Sequence, residues 1–358
     1  MTAAISEFRP NWASAPGDTI ADIMDDLGLS VGEFAQRLGQ TVEYAGDLLQ
    51  GRATITIRTA RELERILGGS VAFWIARDSQ YREDVGRIHA ADEEWLNELP
   101  ISDMIKFGWL RPPRPSEEVD ACLRFFGVPS VAEWRHSYDS LAALVAFRTS
   151  PSFDSRPAAV AAWLRKGEIE GDNVVCAPWS PVGFSDSLQD IRHLTQEKDP
   201  SRFLPALRQI CSASGVATAV VRAPTGCRAS GATRFVSPDK ALLLLSFRYL
   251  SDDQFWFTFF HEAAHLLLHG HEAVFLEGLD TQSTVQETEA NEFAERILVP
   301  VEFKNALLAL PADARAIIRF ANRIGISPGI VVGQLQHRGR IPRHHFNRLK
   351  RRFRWNDG

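Results

Sequence analysis

The chain of 358 residues is poor in cysteine, with only Cys122, Cys176, Cys211 and Cys227. These four are widely spaced and no two stand as C-x-x-C. A disulfide framework and a cysteine-based zinc knuckle are therefore both excluded, and reduced thiols in a reducing compartment are expected. Long hydrophobic runs are missing too. The aromatic stretch Phe255 to Phe260 is far shorter than the ~20 residues that a spanning helix requires. No signal-peptide pattern is visible at the N-terminus, so a cytoplasmic protein without membrane contact is expected. Nor is there an excess of positive charge: 40 Lys and Arg stand against 45 Asp and Glu, for a net charge of −5. That balance does not suggest a polyanion-binding protein overall. What is present is ample apolar content, 45% of residues, enough for two or three domains with cores of their own.

The most informative segment is His261-Glu262-Ala263-Ala264-His265, an H-E-x-x-H motif. Gln254 through Leu268 carries no Pro or Gly and is dense in aromatic and aliphatic residues, which predicts a helix. Positions i and i+4 share a helix face. His261 and His265 can therefore grip one metal ion, with Glu262 beside them to act on water at the metal. Five residues alone can occur by chance, so a third ligand is required.

That ligand is expected on a second helix, Val285 to Val299, stopped by Pro300. Ala290, Phe293, Ala294, Ile297 and Leu298 form its apolar stripe. Glu287 and Asn291 fall at the edge of the stripe, whereas Glu289, Glu292 and Arg296 lie opposite, on a solvated face. A carboxylate next to the core needs a partner, and a metal ion would be one. Glu287 is thus the expected third ligand, and Asn291 is placed to orient a ligand histidine. His269 shares the face of His261 and His265 but lies about 12 Å from His261 along the axis, too far for bonds of ~2 Å to one ion. It is expected to cap the helix before Gly270, and His271 to lie on the surface.

The stretch HEAAHLLLH followed by ETEANEFAERILVP resembles the ImmA/IrrE zinc metallopeptidases, whose pattern runs roughly H-E-x-G/S-H-x-x-L-H, then E-x-x-A-N-x-F-A-x-x-L-x-x-P. Glu287, Ala290, Asn291, Phe293, Ala294 and Pro300 match the second half, and Ala264 stands where the family often has Gly or Ser. The resemblance extends from SGATRFVSPDK to about His337. It implies a zincin-like domain holding Zn²⁺ through His261, His265 and Glu287, with Glu262 as the catalytic acid and base. It also implies a protein substrate, such as a helix-turn-helix repressor. An edge strand that receives the substrate is common near such sites, and Leu243 to Ser246 is the candidate. Tyr249, His271 and Arg234 are candidates for stabilising the oxyanion.

The N-terminal region has a different pattern. Ser30 to Gly39 reads as a short capped helix ending in Gly, and Thr41 caps a second helix from Val42 to Gln50, ended by Gly51. Asp18 to Leu27 precedes them as a helix. Ile57 to Leu67 and Val71 to Ile75 follow. Helix, Gly turn, helix is the helix-turn-helix arrangement. The region resembles XRE-type DNA-binding domains, most closely the HigA antitoxin variety, through Pro16-Gly17-Asp18, the Gly51-Arg52 turn with Thr54 and Thr56, and Val71 to Ile75. Acidic residues outnumber basic ones here, and the recognition helix carries Glu43 and Asp47 but no base. Gln40, Thr41, Tyr44, Gln50, Arg52 and Arg58 are the candidate DNA contacts; the other reading is a helical module that docks a protein. Such domains usually bind DNA as symmetric dimers, so a homodimer is expected.

Between these parts, Glu93–Leu99, Pro115–Phe126, Ser130–His136 and Pro157–Lys166 show helical spacing. Leu204–Ser214 is a further helix, and Val216–Arg222 and Ala241–Phe247 are strands, with Arg228–Phe235 pairing with the latter. The expected class is mainly α (α+β). Residues 1–90 form an all-α helix-turn-helix domain, 91–195 a helical linker region, and 196–358 a metallopeptidase domain with a small sheet and a basic tail. Phe320 through Gln336 echoes Phe34 through Gln50, as a second helix-turn-helix or as packing. From Arg338 to Arg354 the basic residues form either a contact for nucleic acid or an acidic partner, or a solvated terminal helix. Two functions follow from the resemblances. One is a DNA-binding regulator with a zinc-dependent endopeptidase domain. The other is a HigA-like antitoxin that binds operator DNA and a toxin, with a structural or sensing metal site.

Overall fold

The computed structural model describes residues 12–138, 156–270, 275–277 and 285–355. The chain divides into two compact units, Met1–Asn97 and Glu98–Gly358. Among the described residues it is mainly helical, with one four-stranded sheet; no described helix is long and apolar enough to cross a membrane.

The first unit holds α1 (Pro16–Asp26), α2 (Val31–Leu38), α3 (Val42–Leu49), α4 (Ile57–Leu67) and most of α5 (Val71–Glu98). Local chemistry sets the boundaries. The Ser30 Oγ accepts from the Glu33 N–H, and the Glu33 carboxylate accepts from the Ser30 N–H at 3.0 Å, a reciprocal cap. Gly39 then turns the chain in the left-handed region, at φ +67°, where a side chain would be strained. Thr41 and Thr56 cap α3 and α4 through their hydroxyls. Ile20, Phe34, Leu48, Leu63 and Trp74 fill the core. In place of two short helices at 71–75 and 93–99, α5 runs unbroken for 28 residues. It contains no proline, and the Asp78–Arg82 and Asp84–Arg87 pairs lie along it.

In the second unit α6 (Ile101–Lys106), α7 (Glu118–Phe126) and a helical stretch, α8, over 131–138 come first. They precede α9 (Pro157–Asp172), α10 (Pro181–Leu194) and α11 (Pro200–Ser212). Then follow β1 (Val216–Val220), β2 (Gly231–Ser237), β3 (Lys240–Leu245), α12 (Asp252–Leu268), β4 (Phe275–Glu277) and α13 (Val285–Leu298). The unit continues through α14 (Val301–Leu308), α15 (Ala314–Ile324) and α16 (Pro328–His337).

The strand order is β1-β3-β2-β4. β3 is parallel to β1 and antiparallel to β2, and β2 is antiparallel to β4. β3 is therefore a central strand, and Leu243 to Ser246 is not the edge expected from sequence. Its side chains alternate between two helical layers. Leu242 and Leu244 face α9, where Gly167 and Gly171 admit them: a Cβ at either glycine would meet a leucine methyl within 2.7 Å. Ala241, Leu243 and Leu245 share a core with Phe255, Trp256, Phe259, Phe260 and Ala263 of α12. Burial on both faces explains why β3 is a continuous apolar run. Each large aromatic sealed in that core contributes roughly 1.5–3 kcal/mol by leaving water.

Two further sets of contacts fix the helices that flank the site. The buried Arg192 guanidinium on α10 donates to the Leu298 and Ile324 carbonyls, at the ends of α13 and α15. Burial lowers its pKa below the usual arginine range. The basic tail closes the start of α12. Asp252 N–H donates to the Arg351 carbonyl, Phe353 N–H to that of Leu250, and Lys350 Nζ lies 2.6 Å from Asp253. Arg338 pairs with Glu295 at 2.5 Å. The tail is thus not a solvated helix, and Arg343, Arg348, Arg352 and Arg354 remain exposed on it. Several of its charges are consumed within its own unit, and Phe353 is buried in the core. The segment that echoes the first unit is also packing: Ile317, Phe320, Ile324, Ile330 and Val331 lie in that same core.

Candidate functional site

α12 presents His261 and His265 one turn apart toward α13, which brings Glu287 to them. His261 Nε2 and His265 Nε2 are 3.0 Å apart. The Glu287 carboxylate lies 3.2 Å from the first and 3.7 Å from the second. Both histidines are buried, and Glu287 is partly open to solvent. A tetrahedral zinc ion with bonds of ~2.0–2.1 Å spaces its ligands about 3.3 Å apart, which is the spacing found. Among the described residues this is the group of three side chains able to hold a metal ion.

The far ring nitrogens are occupied in a way that turns the near ones inward. The His261 Nδ1 lies 3.1 Å from the Asn291 Oδ1, an acceptor, which places the proton on Nδ1 and a lone pair on Nε2. The His265 Nδ1 lies 2.9 Å from the Nδ1 of His269. His269 is the C-cap of α12, its N–H donating to the His265 carbonyl, and its ring is also engaged. Its Nε2 is 3.0 Å from Glu289, a residue read from sequence as merely solvated. His271 lies outside the described residues.

Glu262 is fully buried beside the histidines. Thr233 of β2 donates its hydroxyl to Glu262 Oε2 at 3.0 Å. Gly231, two residues earlier on the same strand face, leaves room for the carboxylate. Sequence reasoning missed both β2 residues. The signal was available: alternation in SGATRF puts positions 231 and 233 on one face. The same alternation sends Arg234 to the opposite face, where it pairs with Glu168 of α9 at 2.6 Å. It is therefore not aimed at the site as an oxyanion donor. Tyr249 is half-exposed and stacks with the Arg248 guanidinium, 5.0 Å from its ring centre.

In the first unit the candidate DNA contacts separate into two groups. Gln40, Thr41, Gln50, Arg52 and Arg58 are exposed, and Tyr44 is half-buried. Several of them have work inside the unit. The Thr41 hydroxyl caps α3, and the Tyr44 hydroxyl meets that of Thr59 at 3.2 Å. Arg52 is held by Asp47 at 2.6 Å and donates to Gln50.

Comparison with known proteins agrees with this division. Residues 215–335 match the Peptidase_M78 family, described as the IrrE N-terminal-like domain. Residues 20–74 match the HTH_3 family, described as helix-turn-helix. A relative from Escherichia coli (strain K12), named as the uncharacterized HTH-type transcriptional regulator YddM, is 35% identical over 60 residues. That match covers 17% of this chain and 64% of the relative's length. The chain therefore carries a helix-turn-helix domain of the HTH_3 family followed by an IrrE N-terminal-like domain of the Peptidase_M78 family.

Proposed function

We propose that this protein is a DNA-binding transcriptional regulator whose second unit is a zinc-dependent endopeptidase acting on a protein partner, such as a helix-turn-helix repressor. The observation that carries the reading is the convergence of His261 Nε2, His265 Nε2 and the Glu287 carboxylate, with the buried Glu262 next to them. In this reading the three residues hold Zn²⁺, which when bound supplies Lewis acidity to water and to a peptide carbonyl. Glu262 removes a proton from the attacking water and delivers it to the leaving amine. Thr233, donating to Oε2, fixes the plane of that carboxylate. Asn291 holds the His261 ring in the tautomer that a cation needs.

In the first unit, exposed Gln40 and Arg58, with the start of α3, are the proposed contacts to DNA. The test for the hydrolase is Glu262→Gln. The variant is expected to retain one zinc per chain and to lose zinc-dependent cleavage of a helix-turn-helix repressor supplied as substrate. Cleavage at the wild-type rate by Glu262→Gln would refute the mechanism.

A further inference from the structure

His269 is too far along α12 to join His261 at one ion, yet its side chain is only 4% exposed. Its Nδ1 meets the His265 Nδ1 at 2.9 Å, and its Nε2 meets Glu289 Oε2 at 3.0 Å. We infer that Glu289 and His269 form a positioning relay behind His265, which orders its protons so that Nε2 is held as a cation donor. The inference rests on the metal reading above and adds two residues to it.

The direction of the relay follows from the chemistry of its end. A carboxylate only accepts, so the His269 Nε2 carries a proton and donates to Glu289. In neutral His269 the Nδ1 is then a lone pair, and it can only accept from His265. The His265 proton is thereby fixed on Nδ1, and its Nε2 lone pair faces the His261 Nε2 and Glu287. With the order reversed, the His265 proton would stand on Nε2, aimed into the donor group, and no cation could be held there. This arrangement of protons serves both ring contacts of His269 and leaves the His265 Nε2 lone pair for a cation.

The relay also makes the two histidines unequal. His261 is backed by a neutral amide, Asn291. His265 is backed by an imidazole that is itself backed by an anion. α13 supplies both the Glu287 carboxylate and, two residues on, the anchor of the relay. Docking of α13 on α12 therefore sets the donor group and its support in one step.

The test uses the full chain as wild type, His269→Leu, His269→Gln and Glu289→Gln. Zinc affinity is measured by competition with a chromophoric chelator, and imidazole tautomers by ¹⁵N chemical shifts with and without zinc. The wild type is expected to show His265 protonated at Nδ1 and His269 at Nε2. His269→Leu should weaken zinc binding about 10–100-fold, the usual cost of losing such support. His269→Gln, which keeps an acceptor, should recover part of that loss, and Glu289→Gln should fall between wild type and His269→Leu. Equal affinity in wild type and His269→Leu, or a proton on Nδ1 of His269, would overturn the relay. Glu289 is half-exposed, so Glu289→Gln carries the test should His269→Leu fail to fold; unchanged affinity and unchanged shifts in it would be equally fatal. A wild type that takes up no zinc would sink the metal reading instead, and the shifts of the metal-free protein would still decide the relay.

Discussion

Gly231 of β2 lies so close to Glu262 of α12 that a Cβ at position 231 would stand 2.6 Å from the Glu262 Oε1 and 2.7 Å from its Cγ. Real carbon atoms do not approach like this, so Gly231→Ala must push the carboxylate or part the strand from the helix. Overpacking of this kind costs about 1–3 kcal/mol, to be read from urea unfolding. Misplacing a reacting group by about 1 Å can cost 10²-fold in rate. Gly231→Ala is therefore expected to lose most proteolytic activity while binding zinc normally. Wild-type turnover in this variant would show that Glu262 has more freedom than its packing indicates.

Asp252 opens α12 in a fully buried position, with its Oδ1 receiving the Arg351 N–H at 3.0 Å and its Oδ2 the Ser327 hydroxyl. Burial raises its carboxyl above the usual range, partly opposed by the Ser327 hydrogen bond. The unfolded chain releases this proton near pH 3.9; the folded chain releases it at a higher pH. Below the unfolded value both states are protonated and the contribution to stability is complete. It is lost as pH rises through the folded value. Asp252→Asn keeps an acceptor and removes the titration. Its stability relative to wild type should therefore improve from pH 4 upward and then level off. A stability difference that stays constant across that range in urea titrations would contradict this.

The cysteines give a third measurement. Cys122, Cys211 and Cys227 are buried, and burial pushes each thiol up to about 12. Cys176 is half-buried, and its upward shift is partly offset by Lys240. Only thiolate reacts readily with disulfide reagents. At pH 8 the native protein should expose one fast-reacting thiol, and the denatured protein four. Alkylation followed by peptide mapping should place the fast one at Cys176; rapid labelling of Cys211 or Cys227 would show that the core opens.

For the first unit, the ion pair of Arg52 with Asp47 and the exposure of Arg58 predict unequal effects on DNA affinity. Arg58→Ala should weaken binding and reduce the salt dependence by about one counterion. Arg52→Ala should do less, since its guanidinium must leave Asp47 before it meets a phosphate. Fluorescence anisotropy at several salt concentrations separates the two. An Arg52 effect larger than that of Arg58 would mean that the pair breaks on binding.

Much of this was legible in the residues. The i, i+4 spacing of His261 and His265 and the helical position of Glu287 come from local periodicity alone. The caps at Ser30, Thr41 and Thr56 are likewise local. The support from β2 was hidden because Gly231 and Thr233 are ordinary strand residues whose meaning depends on a helix some thirty positions later. The unbroken apolar character of β3 did contain the signal that it lies inside a sheet, and assigning it to an edge overlooked that. The basic tail read as free charge because its partners, Asp252 and Asp253, precede it by almost a hundred residues. Pairing at that distance leaves no trace in composition.

That long-range closure has a temporal side. A ribosome releases His261 and His265 well before it reaches residues 350–353, which complete the first turn of their helix. Until those residues are made, Asp252 and Asp253 lack the partners that the tail supplies in the folded unit. The order of translation thus makes the contacts that close the start of α12 available only after every candidate donor atom has already been made.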